Sequence, residues 1–293
     1  MGQNRHPNIK IAVASGKGGT GKTTVAVNLF AAIKKLNAQA VTLSDCDVEE
    51  PNAQLFFPGK PEHLMDVNAL IPRINKTRCT YCGDCAKICA FNAIMFVKDI
   101  SHIQVMPDLC KSCGACLWAC RYDAIQEYDK KLGQINLLQT GKHSIREGRL
   151  EIGSPFAVPV IRELKKQTPE KEIVIYDSPP GTSCPVIETI HDADFVIVVA
   201  EPTPFGLSDL KLMTQTLKKI NKTAGVVINR AISGQQKLYD YLKQENLPVL
   251  MEIPFDRQLA AHYSKGNLFV DVSKEYDKLF HALYKNIIRY LDR

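Results

Sequence analysis

Ser15-Gly16-Lys17-Gly18-Gly19-Thr20-Gly21-Lys22-Thr23-Thr24 leaves this chain few folds to choose from. An apolar run of strand character, residues 9–14, leads into it, and it opens into Val25-Ala26-Val27-Asn28-Leu29-Phe30-Ala31-Ala32-Ile33, whose apolar spacing suits a helix packed on a sheet. The order is therefore strand, glycine-rich loop, helix, and Gly16 to Thr23 satisfies G-x-x-x-x-G-K-[ST]. Glycines in such a loop let backbone N–H groups close round phosphates at the positive end of the helix. A nucleoside triphosphate is the expected ligand of Gly16, Lys17, Gly18, Gly19, Thr20, Gly21, Lys22, Thr23 and Thr24, with Lys22 on the β- and γ-phosphates and Thr23 on Mg²⁺.

Apolar runs of the same kind recur at residues 40–44, 173–176, 195–200, 225–229 and 249–253, with helical stretches between them. This alternation predicts an α/β fold, a mostly parallel sheet with helices on both faces. Two runs end in acid: Asp45-Cys46-Asp47 after the second strand, and Asp177-Ser178-Pro179-Pro180-Gly181 after a later one. Strand C-termini are where such sheets bind ligands. Residues 155–166 read as a further helix. In 274–291, apolar residues at Tyr276, Leu279, Phe280, Leu283, Ile287, Ile288 and Leu291 have helical spacing that suits core packing rather than a membrane. No apolar run approaches ~18 residues, residues 1–7 are polar, and His6 stands where a myristoylation signal needs Ser or Thr. A cytoplasmic protein without membrane partners is expected.

Eight of the ten cysteines lie between Cys79 and Cys120, which without a secretion signal points to metal rather than disulfides. Cys79-x₂-Cys82-x₂-Cys85-x₃-Cys89 and Cys110-x₂-Cys113-x₂-Cys116-x₃-Cys120 each have the spacing of a 4Fe-4S run. Zinc suits pairs of C-x₂-C but not four cysteines at 2, 2, 3 spacing twice over. In two-cluster ferredoxins the fourth cysteine of each run ligates the other cluster. Cys79, Cys82, Cys85 and Cys120 should thus bind one cluster, and Cys110, Cys113, Cys116 and Cys89 the other. The proline that usually follows the fourth cysteine is Ala90 in one run and Arg121 in the other; Arg121 sets a fixed positive charge beside a cluster, which raises its potential. The expected organisation is a P-loop domain, residues 1–71 and 129–293, interrupted at 72–128 by a small α+β ferredoxin-like domain. Residues 133–153 read only as a return segment. If each cluster adds about −2, the formal charge of +6 falls to about +2, which argues against nucleic acid as a partner.

The string GKGGTGKTT resembles the deviant Walker-A loop of the MinD/ParA/Mrp ATPases and of the nitrogenase iron protein. The resemblance implies a homodimer assembled on ATP, in which Lys17 reaches the partner's phosphates. It likens Asp45 to Asn52 to switch I, with Asp47 positioning the attacking water and Asp45 nearer the Mg²⁺ shell or purely structural. By the same resemblance Asp177 holds Mg²⁺ through water, the Gly181 N–H meets the γ-phosphate, and the segments at Asn229-Arg230 and Ile253-Pro254-Phe255-Asp256 recognise the base. A helix or turn cap is the other reading of Asn229. Together these features resemble MinD-superfamily ATPases carrying an inserted two-cluster ferredoxin domain. They imply a Mg-dependent ATPase that couples nucleotide state to electron transfer with an unidentified redox or metallocofactor partner protein. Eight cysteines filled by two resident clusters leave few thiols for a cluster in transit, so cluster carriage stands second, and a nucleotide-dependent positioning switch with structural clusters third. Cys184, seven residues beyond Asp177, is at a place similar to a cluster-holding cysteine of the nitrogenase iron protein; packing under the switch is the alternative.

Overall fold

Strand β1 (Lys10–Ala14) is buried from its second residue onward, and burial on both faces is why its sequence runs apolar without alternating. It leads through the glycine loop into α1 (Lys22–Leu36), in which every residue from Thr24 to Ile33 is buried. The structure is a computed structural model and describes residues 8–36, 39–169, 172–232 and 236–292; the reading made of residues 1–7 lies outside them.

After β2 (Val41–Asp45) and a 3₁₀ turn, Ala53–Phe56, come β3 (Glu62–Ile74), α2 (Asp84–Ile88), β4 (Ile94–Val97), β5 (His102–Val105) and α3 (Ala115–Ala119). Strands β6 (Ile125–Thr140) and β7 (His143–Leu150) follow, then α4 (Ala157–Lys166), β8 (Ile173–Asp177), α5 (Cys184–Ile190) and β9 (Phe195–Ala200). The chain closes with α6 (Pro204–Lys219), β10 (Ala224–Ala231), α7 (Gln236–Gln244), β11 (Val249–Pro254), α8 (Arg257–Tyr263), α9 (Phe269–Val272) and α10 (Lys274–Leu291).

Nine strands form one sheet in the order β11-β10-β9-β1-β8-β2-β7-β6-β3. The pairings from β11 across to β7 are parallel, so the C-terminal ends of these strands lie along one edge, the edge that carries Asp45 and Asp177. In register across β8, β2 and β7 stand Asp177, Asp45 and Glu147. Helix α1 buries Phe30 in a core with Phe195, Phe280, Leu283 and Ile287, at about 1.5–3 kcal/mol for each large side chain taken out of water. The expected α/β fold with a mostly parallel sheet is the fold found.

Residues 133–153 are more than a return segment. They complete β6 and supply β7, joined by a two-residue turn with Gly141 at φ +66. Polar residues hide these strands in the sequence: in β7 only Ile145 and Leu150 are large and apolar, yet His143, Ser144 and Glu147 are buried, and Asn136 Nδ2 donates to Glu147 Oε1 at 2.8 Å.

The chain divides into two compact units, one of Met1–Met65, Ile135–Arg149 and Ala157–Arg293, the other of Asp66–Gln134 and Leu150–Phe156. The second unit repeats itself. Left-handed residues recur 31 positions apart at Tyr81 and Ser112, at Gly83 and Gly114, and at Asn92 and Asp123; each repeat has a five-residue helix that carries its third cysteine and ends just before its fourth. Strands β4 and β5 pair antiparallel within it. The cluster buried between the repeats is small: Cys85, Ile94, Ile103, Cys116 and Ile125.

Candidate nucleotide and cysteine sites

In the first unit the loop after β1 is held open by contacts that leave no room for side chains. Gly21 has φ +97, and a Cβ there would lie 2.3 Å from Asn229 Nδ2. Asn229 Nδ2 donates to the Thr20 carbonyl at 2.7 Å, and the Gly181 N–H donates to the Ser15 carbonyl at 3.0 Å. A Cβ on Gly16 would meet the Asp209 carbonyl at 2.4 Å. These contacts brace the glycine loop from β10, from the segment after β8 and from α6.

A cavity of about 410 Å³ opens over this loop. Of the residues named from sequence, Gly18, Gly19, Gly21, Lys22, Thr23, Thr24, Asp47, Asn52, Pro180, Asn229, Arg230, Ile253, Pro254, Phe255 and Asp256 line it. Gly16, Lys17, Thr20, Asp45, Asp177 and Gly181 are outside that lining. Lys22 is buried, and burial lowers its pKa against the pull of Asp177 and Asp47. Burial pushes Asp177 up to about 7 and Asp47 up to about 6. Neither carboxylate oxygen of Asp177 has a hydrogen-bond partner, although the residue is 1% exposed; the Thr20 hydroxyl is likewise buried and unpartnered. A buried, unsatisfied carboxylate is costly unless something completes it, so the donor set fits a hydrated Mg²⁺ beside a bound polyphosphate.

Asp45 is engaged differently. Its Oδ1 accepts from the Asp47 N–H at 3.1 Å, and its Oδ2 from the N–H groups of Asn52 and Ala53, both at 2.9 Å. Three such bonds make it the anchor of the loop that carries Asp47. Burial raises its pKa. Lys17 points away from the cavity, its Nζ 3.6 Å from Glu201 Oε2.

The far wall was only partly legible. Phe255, Leu259, Tyr263 and Phe269 line it, as do Glu50 and Arg230, and Tyr263 stacks on Phe56 with ring centroids 4.9 Å apart. Phe255, Arg230 and Glu50 belong to the segments likened above to base recognition and switch I, whereas Leu259 and Tyr263 in α8 and Phe269 at the start of α9 carry no motif that marks them.

In the second unit, Cys79, Cys82, Cys85 and Cys120 line one cavity. Cys89, Cys110, Cys113 and Cys116 line another. Each repeat directs backbone N–H groups at its sulfurs: Tyr81 N–H to Cys79 Sγ at 3.4 Å and Ala93 N–H to Cys89 Sγ at 3.3 Å, then Ser112 N–H to Cys110 Sγ at 3.5 Å and Ala124 N–H to Cys120 Sγ at 3.4 Å. The left-handed backbone at Tyr81 and Ser112 turns those N–H groups inward. All eight thiols are free, and burial holds Cys116 up at about 11. Four thiols lining each cavity, with backbone donors aimed at sulfur, fit thiolates neutralised by a metal cluster. Outside the runs, Cys46 is buried and its thiol pKa raised by burial, whereas Cys184 is exposed at the start of α5.

The profile of the CobQ/CobB/MinD/ParA nucleotide binding domain matches residues 11–269. An uncharacterised protein of Methanocaldococcus jannaschii is 31% identical over 266 residues, covering 89% of this chain and 91% of its own length. An iron-sulfur cluster carrier protein of Aquifex aeolicus is 25% identical over 282 residues, covering 90% of this chain and 63% of its own length. Among solved structures, the septum site-determining protein MinD of Pyrococcus horikoshii, complexed with Mg-ADP, superposes with a TM-score of 0.58 at 18% identity, covering 95% of each chain. Among the described residues no helix is long and apolar enough to cross a membrane.

Proposed function

The chain belongs to the CobQ/CobB/MinD/ParA nucleotide-binding family, and from that premise we propose that it is a Mg-dependent ATPase whose nucleotide state controls electron transfer through two resident 4Fe-4S clusters. The observation that carries this reading is the grouping of the eight run cysteines round two cavities, three from one run and the fourth from the other in each. Every run thiol then has a place in a resident site.

In the nucleotide site we assign Lys22 to the β- and γ-phosphates, the N–H groups of the loop from Gly16 to Thr24 to the phosphate oxygens, and Thr23 and Asp177 to Mg²⁺. Asp177 has two unpartnered oxygens for that task. Asp47 orients the attacking water, and Asp45 supports it by anchoring its loop. Asn229, beside the glycine loop, and Pro254, on the far wall, are assigned to the base. The Gly181 N–H leaves the Ser15 carbonyl to meet the γ-phosphate, and Lys17 serves the phosphates of a second copy across an ATP-dependent homodimer. Bound clusters supply one-electron chemistry. The chain's part is to hold them with eight thiolates and to set their potentials through N–H···S bonds and the Arg121 charge. From the Asp47 loop the chain runs through β3 into the cysteine unit, so a rearrangement at the γ-phosphate has a covalent route to it.

Cluster carriage is the second reading, favoured by the resemblance to the Aquifex carrier protein. It needs accessible thiols to spare, and outside the runs only Cys184 is exposed. Iron and sulfide analysis of the anaerobically purified chain tests the choice: about eight of each per chain are expected, unchanged in Cys184→Ser. Two zinc ions per chain, or iron that follows Cys184, would end the resident-cluster reading.

A further inference from the structure

Just beyond β9, the carboxylate of Glu201 holds two cations at once. Arg230 Nη1 donates to Oε1 at 2.6 Å, and Lys17 Nζ stands 3.6 Å from Oε2. Glu201 is 8% exposed, and the backbone around it is fixed. The Thr203 N–H donates to the Glu201 carbonyl at 2.8 Å, Thr203 Oγ1 caps α6 by accepting from the Gly206 N–H at 3.0 Å, and a Cβ on Gly206 would lie 2.2 Å from the Glu201 oxygen. The same helix presses the Asp209 carbonyl against Gly16. One rigid segment therefore fixes both the carboxylate and the residue preceding Lys17.

Arg230 reaches Glu201 because β10 is irregular there: its pairing with β11 shifts between Asn229 and Ala231, and Arg230 itself is left-handed, φ 55. Such a bulge re-aims a side chain. Arg230 lines the nucleotide cavity; Lys17 does not.

We propose that Glu201 is a positioning residue for Lys17: in the single chain its carboxylate, shared with Arg230, keeps the lysine beside its own loop and releases it when two chains close on nucleotide. The inference rests on the sandwich role of Lys17 given above. The hold is weak, because the Lys17 side chain is 38% exposed and such a pair is screened by water. Release is tolerable because Arg230 stays on Glu201, so no buried carboxylate is left without a counter-charge.

Glu201→Gln removes the charge at constant size. With a non-hydrolysable ATP analogue, sedimentation equilibrium of the full chain should show the variant dimerising about tenfold more tightly, roughly threefold for each of the two lysines released. In a Lys17→Met background the same change should shift the dimer constant by less than about twofold. Unchanged or weaker dimerisation of Glu201→Gln, with circular dichroism and nucleotide affinity intact, overturns the proposal. In the nucleotide-free chain the effects of Lys17→Met and Glu201→Gln on the thermal midpoint should be non-additive; additive effects overturn the pair itself. A parent chain that stays monomeric with the analogue while that coupling persists overturns the sandwich role and the release step, but not the pair.

Discussion

The nucleotide cavity is assembled from residues as far apart as Gly18 and Phe269, whereas both cysteine cavities are lined within residues 72–127. The first unit closes its cavity on a core of many large side chains, Phe30, Phe195 and Phe280 among them, so its shape stands before any ligand arrives. Round its cysteines the second has a small buried cluster, Cys85, Ile94, Ile103, Cys116 and Ile125, of which two are run cysteines. A cluster so small rarely sustains a fold without a metal or disulfide staple. One site is thus carved into a large sheet core, and the other, on the resident-cluster reading, is expected to need its ligand in order to fold.

Removing the iron should therefore produce the largest effect of all. After anaerobic chelation, hydrogen exchange in α2, α3, β4 and β5 should lose nearly all protection, since a structural metal site contributes on the order of 10 kcal/mol to folding. The amides of β1, β8 and β9 should keep theirs, and nucleotide affinity should change by less than about threefold. Protection that survives in the second unit would mean that its apolar packing suffices.

Lys22→Ala cuts the other way. It should weaken nucleotide binding by on the order of 100-fold or more, because a buried cation facing the phosphates is lost, while iron content stays at the parent value.

Two left-handed glycines sharpen the contrast further. Gly21→Ala places a Cβ 2.3 Å from Asn229 Nδ2 at φ +97, and isothermal titration should show nucleotide binding weakened by about 10- to 100-fold. Gly114, at φ +71, has nothing within 4 Å of an added Cβ. Gly114→Ala should cost only the left-handed strain of about 1–2 kcal/mol, read as a modest loss in the thermal midpoint of the iron-loaded protein.

The smallest effect is a pH dependence confined to the first unit. Asp177 and Asp47 are raised to about 7 and about 6 in the folded chain, above an unfolded value of about 3.9. A carboxyl shifted upward adds stability that is fully present below the unfolded value and lost as pH rises through the folded one. The nucleotide-free chain should lose thermal stability between about pH 4 and pH 7, and Asp177→Asn should flatten that slope. An equal slope in the variant would show that Asp177 is not the titrating group.

What could be read from sequence follows from how local each signal is. The order of strand, glycine loop and helix at residues 10–36, and the helix at Lys274–Leu291, rest on short-range periodicity, and the structure has them in place. Strands β6 and β7 are hidden because their buried positions include Asn136, His143, Ser144 and Glu147; Asn136 bonds Glu147, and His143 and Ser144 bond Val41 and Thr42 of β2, only once the strands are paired. In the candidate site, Lys22, Thr23 and Asn229 were visible because motif spacing marks them. Glu201 and Tyr263 were harder, Glu201 because its proposed role runs through a residue 184 positions away; Arg230 was named with Asn229, but its direction comes from a bulge. That Cys120 lines the cavity of the first run and Cys89 that of the second agrees with the spacing reading, both repeats lying within one short stretch.

The central claim, that nucleotide chemistry and cluster redox state are coupled, is tested most directly by the steady-state ATPase rate of the iron-loaded chain measured anaerobically in its dithionite-reduced and oxidised forms. The coupled account predicts rates differing by about threefold or more, a coupling of at least roughly 0.6 kcal/mol. Identical rates, with eight iron present in both forms, would contradict it and leave the clusters as structural staples in a nucleotide-dependent switch.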